Sequence, residues 1–366
     1  MKFVVSTKPL KNVTDLGIIK SNISKYYYRS TIVQITATRD TLILNIEASG
    51  IKTKMMLSGS GDVDEVASII VDCSLFKKLL DSIDTEIVSL DFMQNYLKLS
   101  AGTSKFDIAA IVDANDMQLS GPSEEYNVES SSVIKSADWQ FVRDHQLYAI
   151  ATGEAHPVYK NVYVGTDKDL IVGDFDSSLF TYSKCGDFDT PCLFPTSIIN
   201  LFTSIPDGST ISKIGRSYII NITTDNYSMV TEFTPKYEDD EAVGSYNSQI
   251  ILGMLAHPEA FITIDVAPIT KFINQTSILA QSDFDKVFDF KIQDNTLTMT
   301  NRVSSYSMSV ESSANYTIKF HADFFKSVLA NFDSDTLNIA PMQQGERTIG
   351  CIFWSDKLTV LLAGQG

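Results

Sequence analysis

Apolar and polar positions along the chain repeat one pattern three times. Residues 74–83, 196–205 and 323–332 align without gaps. Apolar side chains recur at Phe76/Ile198/Phe325, Leu79/Leu201/Val328, Leu80/Phe202/Leu329 and Ile83/Ile205/Phe332. Steps of three and four put these positions on one face of a short helix. A polar residue stands before each as a cap: Asp72 or Ser74, Thr196, and His321 or Asp323. Such side chains satisfy the first free amides of a helix. Each helix leads through a turn into three short stretches that alternate apolar with polar. These are 87–90, 96–99 and 105–109; 211–214, 218–222 and 228–233; and 337–339, 348–352 and 357–361. Period two with turns between predicts antiparallel hairpins.

A second helix-then-strands half lies upstream of each copy. The helical faces are Leu10/Val13/Ile19 in 8–21, Trp139/Val142/Tyr148 in 137–152 and Ile269/Phe272/Ile278 in 266–280. Strands follow at 31–36 and 41–46, 160–164 and 170–172, and 287–292 and 296–299. The chain thus carries six halves, and the fold class is α+β. Polar stretches with Pro or Gly at 119–125 and 256–259 divide it into 1–121, 122–257 and 258–366. Each part is long enough for its own core. Residues 235–248, with Glu238-Asp239-Asp240-Glu241, read as an exposed acidic loop.

Composition narrows the function. Apolar residues are 44% and charged residues 20% of the 366, as in a globular protein. Twenty-nine Lys and Arg against 45 Asp and Glu give −16, the opposite of a broad basic footprint for nucleic acid. The acid is unevenly placed. Residues 1–121 hold 13 basic and 14 acidic side chains, 122–257 hold 8 and 19, and 258–366 hold 8 and 12. The six helices together are slightly positive, so the excess acid falls on strands and loops. No apolar run approaches the ~20 residues of a membrane helix, and the first residues turn polar too early for a signal peptide. Cys73, Cys185, Cys192 and Cys351 form no CxxC pair and read as reduced thiols in a cytosol.

No catalytic constellation emerges. The four histidines fall in no metal-ligand spacing, and no phosphate-cradling glycine loop is present. Gly59-Ser60-Gly61 lacks the frame of a nucleophile elbow and reads as a turn. Asp174-Phe175-Asp176 reads as a strand-end turn rather than a metal stub. The expectation is a binding or scaffold protein, not an enzyme, with no metal and no cofactor.

The threefold recurrence, the length and the opening Met1-Lys2-Phe3 resemble the bacterial-type sliding clamp family, the beta subunit of DNA polymerase III. The likeness spans the chain and is strongest over 1–5, 71–111, 137–172 and 269–292. It rests on the order of six halves in three domains rather than on one motif. The chain resembles a divergent member, from a bacterium or from a phage. The resemblance implies three similar domains with helices on one face and sheets outside, and two chains head to tail in a ring. Duplex DNA would thread a hole lined by twelve helices, without sequence readout. It implies a homodimeric processivity factor that tethers a DNA polymerase, is opened by a clamp loader, and acts in the cytoplasm of the bacterium or host.

Residues follow by position. DNA contacts would come from Lys8, Lys11, Lys20, Lys25 and Arg29, from Arg143, Tyr159, Lys160, Lys213 and Arg216, and from Lys271 and Lys326. The subunit interface would use Lys77 or Lys78, the strand with Lys105, Phe106 and Ile108, and Ile278 and Leu279 on the partner surface. Alternation puts Phe106 and Ile108 on one face, which could be interface or core. A pocket for partner peptides would involve Asp174, Leu179, Phe180, Ile251, Leu252, Val360, Leu361 and Leu362. Here the chain departs from the family: Phe175-Asp176-Ser177-Ser178-Leu179 replaces Asp-Gly-His-Arg-Leu, and Leu362-Ala363-Gly364-Gln365-Gly366 replaces an apolar–Pro–apolar ending. The rival reading is a β-rich repeat-domain structural or interaction protein without DNA binding, such as a virion component.

Overall fold

The computed structural model describes residues 1–17, 32–48, 51–62, 66–111, 119, 121–123, 126–153, 155–185, 188, 191–235, 240–312, 315–345 and 347–364. They form two compact units, Met1–Ala137 with Ser197–Glu238, and Asp138–Thr196 with Asp239–Gly366.

The first unit is built on a twelve-stranded antiparallel sheet. Its main path runs Ser104–Ala109, Tyr96–Ala101, Ile87–Phe92, Lys2–Ser6, Ile51–Gly61, Tyr227–Phe233, Ser217–Thr223, Thr210–Ile214 and Ser130–Val133. Strands Ile32–Ala37, Thr41–Ala48 and Ala67–Asp72 branch from it. The long strand Ile51–Gly61 is the joint. Residues 51–57 pair with Tyr227–Phe233, and 59–61 pair with Val5, Val4 and Phe3. Gly59-Ser60-Gly61 is therefore strand, not the turn its composition suggested. A Cβ on Gly59 would lie 2.4 Å from the Phe3 ring, so only glycine admits the close crossing. Helices Thr7–Gly17 and Cys73–Asp81 pack against each other.

The second unit has an eight-stranded and a four-stranded antiparallel sheet. The larger runs Cys192–Pro195, Asn161–Val164, Asp169–Asp174, Leu179–Lys184, Thr359–Ala363, Arg347–Trp354, Thr336–Gln344 and Ile262–Asp265. The smaller runs Ser305–Ser309, Thr296–Thr300, Val287–Gln293 and Tyr316–His321. Helices Ser136–His145, Val266–Leu279 and Ala322–Ala330 belong to this unit, the last two side by side. Phe325 packs between Phe288 and Phe353, each at 5.3 Å between ring centres.

The predicted repeat is the observed one. Of its twelve apolar positions eleven are buried, and Leu79 is half-buried. Fully burying each such side chain contributes about 1.5–3 kcal/mol. Asp72 caps Cys73–Asp81 by accepting from the Leu75 amide at 2.7 Å, and the His321 ring accepts from the Asp323 amide at 3.3 Å.

One boundary moved, one expected loop gained helix, and one helix runs out of the described residues. The first helix is seen as Thr7–Gly17, and 18–31 lie outside the described residues. The helix expected to reach 152 ends at His145, followed by a short 3-10 turn over Leu147–Ala149. There Gln146, fully buried, holds the neighbouring strand through Thr181 and Ser183. The expected acidic loop instead contains helix Asp240–Ser245, and helix Ser248–Met254 begins at its last residue. Tyr246, wholly buried, ties that stretch to strand Asp169–Asp174 by donating to the Ile171 carbonyl.

The two units cut through the middle third of the chain. Its second half joins residues 51–57 through Tyr227–Phe233, and its first half joins Thr359–Ala363 through Leu179–Lys184. Paired strand edges carry each sheet beyond a single helix-plus-hairpin half, leaving fewer unpaired backbone groups.

Candidate binding surfaces

The basic side chains separate into distinct situations. Lys8 is exposed on Thr7–Gly17. Lys11, on the same helix, donates to the Ile83 carbonyl at 2.6 Å and to that of Asp81 at 3.3 Å. A cation at the carbonyl end of Cys73–Asp81 stabilises that end, so Lys11 pins two helices together. Lys20, Lys25 and Arg29 lie outside the described residues. In the second unit Lys271 and Lys326 are exposed on the paired helices Val266–Leu279 and Ala322–Ala330. Arg143 forks onto Asp144 at 2.8 and 3.2 Å, an exposed pair that contributes little by itself. Lys160 is half-buried. Lys213 is half-buried on Thr210–Ile214, and Arg216 is exposed in the turn after it.

Tyr159 is a correction. It is 2% exposed, its hydroxyl donates to the Tyr246 carbonyl at 2.9 Å, and its ring meets Phe175 and Tyr246 at 4.8 and 4.6 Å. Burial pushes its phenol pKa up. A side chain so enclosed is core and has no face for phosphate.

Among the interface candidates, Ile108 is also core, with no exposed surface, whereas Phe106 on the same face is half-buried. Their strand, Ser104–Ala109, is a sheet edge that among the described residues pairs only with Tyr96–Ala101. Lys105 and Lys78 are exposed, and Lys77 bonds Asp81 at 2.9 Å one turn on. Ile278 and Leu279 are 80% and 51% exposed at the end of Val266–Leu279.

Sequence reading missed Phe284, 79% exposed on the next turn. That turn is held firmly. Ser282 donates to Asp285 at 2.8 Å, Asn301 donates to the Asp285 carbonyl at 2.7 Å, and Lys286 donates to Asp323 at 2.9 Å. Phe284 adds an exposed aromatic to the apolar surface that Ile278 and Leu279 open at the end of the preceding helix. It was not legible because Asp283-Phe284-Asp285 shows no periodicity. Strand Ser305–Ser309 was missed too. It is an edge that among the described residues pairs only with Thr296–Thr300, with Tyr306 and Met308 half-buried on one face.

The pocket candidates come together as packed structure. Leu179 and Phe180 stand opposite Leu362 and Leu361, and Val360 opposite Thr181. Leu179, Phe180, Ile251, Val360, Leu361 and Leu362 are at most 5% exposed, and Leu252 is half-buried. Asp174 accepts from the Asp176 amide at 3.0 Å and from the Ser177 hydroxyl at 3.1 Å. Its carboxylate thus shapes the turn over residues 175–178. Phe175, Phe180, Tyr159 and Tyr246 form an aromatic block beside it. Tyr246, inside the expected loop, donates to the Ile171 carbonyl at 3.1 Å.

Among the described residues no group of three or more His, Cys, Asp or Glu could hold a metal ion, and no helix is long and apolar enough to cross a membrane.

No protein-family model matches the sequence, and no curated protein matches it. Solved structures do match, over the full chain. The beta sliding clamp of Caulobacter crescentus aligns with 100% of this chain and 99% of its own at TM-score 0.77 and 12% identity. The beta subunit of DNA polymerase III of Thermotoga maritima covers 100% and 99% at 0.75 and 13%. The beta clamp of Helicobacter pylori, solved with a DNA ligase peptide, covers 100% of both at 0.70 and 13%. The chain has the beta-clamp fold. At such identity the likeness establishes the fold alone.

Proposed function

We propose that the chain is a DNA polymerase processivity factor, a non-enzymatic sliding clamp that closes as a head-to-tail homodimer around duplex DNA. The observation that carries the reading is the clamp fold over 100% of the chain at TM-scores of 0.70–0.77. Two sheet edges add to it. Ser104–Ala109 in the first unit and Ser305–Ser309 in the second each have one side unpaired among the described residues. Pairing the first edge of one copy with the second edge of another would remove both, and a heterologous contact of this kind closes into a ring when the rotation fits. Phe106 and Lys105 would then meet the patch of Ile278, Leu279 and Phe284.

On this reading the chain divides into three clamp domains, 1–121, 122–257 and 258–366, whose helices face the DNA. Lys8, Lys11, Arg143, Lys160, Lys213, Arg216, Lys271 and Lys326 are the described phosphate-contact candidates, and Lys20, Lys25 and Arg29 complete the set. The acid outside the helices would repel DNA from the wrong surface and leave a weak, salt-sensitive grip. A clamp loader would open the ring, and a polymerase would dock near Leu179, Ile251 and Leu362. The setting is the bacterial cytoplasm, or a host cytoplasm for a phage protein.

Sedimentation combined with loading on circular primed DNA tests this. The expected result is a dimer that stays on closed circles and slides off once they are linearised. Retention that is indifferent to linearisation, or a monomer at all concentrations, would favour the β-rich structural protein instead.

A further inference from the structure

A cleft of about 280 Å3 opens in the second unit, at the far end of strand Thr359–Ala363 from Leu362. Three pieces of chain border it: helix Ser136–His145, the turn between Ala322–Ala330 and Thr336–Gln344, and the hairpin after Trp354. Phe141 and Trp354 give it aromatic walls. Asp333 and Asp356 bring carboxylates, and Lys357 is the one cation of the lining.

The electrostatics favour a positive ligand. Helix Ala322–Ala330 ends at Asn331, whose carbonyl lies 2.9 Å from His145 Nδ1, in the last turn of Ser136–His145. Two carbonyl ends, each with partial negative charge, therefore meet beside the cleft. Asp333 is 82% exposed and 3.4 Å from His145 Nε2. Asp356 is exposed and has no hydrogen-bond or ion-pair partner among the described residues. Indole and phenyl faces attract cations as well.

A second observation offers a donor. Trp354 is 7% exposed and stacks on His257 at 4.6 Å, yet its indole N–H has no hydrogen-bond partner among the described residues. Asn338 uses its side-chain oxygen to accept from Thr263 at 2.8 Å, which turns its amide donors elsewhere. A ligand that offers a cation and a neighbouring carbonyl fits both demands. A basic residue within a peptide has that chemistry. The volume lies below the ~300–1,000 Å3 of drug-sized sites, enough for one long side chain and its backbone. A nucleotide is of the wrong sign, and a second copy of this chain, at −16, lacks charge complementarity.

We propose that this cleft docks a basic peptide segment of a partner protein, with an arginine side chain between Asp333 and Asp356 beside Trp354, and an adjoining carbonyl on the indole N–H. The site stands apart from the pocket candidates, and its test does not depend on ring formation.

The chain has two tryptophans, and Trp139 is 1% exposed in the core, so Trp139→Phe leaves Trp354 as the reporter. Its emission is followed during titration with acetyl-Gly-Ser-Arg-Gly-Ser-amide, with the same peptide carrying citrulline, and with spermidine. The expected result is a saturable change with the arginine peptide, and weaker binding of the uncharged isostere. Asp356→Asn should weaken binding about threefold to tenfold. Asp333→Asn serves as a second variant, and unchanged far-UV dichroism and melting show that both fold. No saturable change at millimolar peptide, equal binding of the citrulline peptide, or saturation by spermidine alone would overturn the proposal.

Discussion

At the scale of single residues, burial decides the roles. Ile108 and Phe106 share a strand face, yet one is enclosed and the other sits at the sheet edge. Ile108→Ala should cost about 2–5 kcal/mol in urea unfolding through a core cavity, and leave the association constant of the folded chain unchanged. A variant of wild-type stability that no longer self-associates would return Ile108 to the interface. Gly173 is equally constrained, because a Cβ there would lie 2.0 Å from the Phe180 ring. Gly173→Ala should lower stability by about 1–3 kcal/mol, since the ring is itself buried and has nowhere to yield. The cysteines are all enclosed, and burial pushes the Cys73 thiol up to about 12. At pH 8 its thiolate is then roughly one part in ten thousand. The native chain should resist iodoacetamide, and mass spectrometry should find four alkylated thiols only after denaturation.

At the scale of elements, exposed edges and caps matter more than single contacts. The turn that carries Phe284 is braced by Ser282, Asn301 and Lys286, so Phe284 presents a fixed aromatic surface beside Ile278 and Leu279. Ile278→Asp with Leu279→Asp, and separately Phe284→Asp, should turn dimers into monomers in light scattering. Dimers that survive both changes would refute the placement of the subunit interface. These positions are exposed in the isolated chain, so folding should be barely affected. Helix Cys73–Asp81 offers a contrasting case. Loss of its cap in Asp72→Ala should cost about 1 kcal/mol of stability, measured as a shift in the unfolding midpoint.

At the scale of the whole molecule, charge distribution replaces net charge as the useful quantity. On the proposed clamp reading, a chain of −16 with exposed lysines on helices should hold DNA with a grip that falls steeply with salt. Reversing Lys271 and Lys326 to Glu should weaken loading on primed DNA and flatten the slope of log affinity against log salt by about one for each phosphate contact removed. An unchanged slope would take these two lysines out of the DNA set.

What the sequence determined by itself was local. Helical and strand periodicities repeat with enough regularity to reveal six helix-plus-hairpin halves, and the repeated apolar positions are the ones that became core. Periodicity reports which face of an element is apolar, and this is a property of the residues alone. It does not report what that face or edge meets. Gly59-Ser60-Gly61 became strand because Lys2–Ser6 crosses it, Tyr159 became core because Tyr246 returns from a supposed acidic loop, and residues 51–61 became a joint because two distant strands share one edge. Such outcomes depend on partners more than fifty residues away in the chain. Only tertiary packing brings those partners into reach, and it alone decides which exposed groups remain free to bind something else.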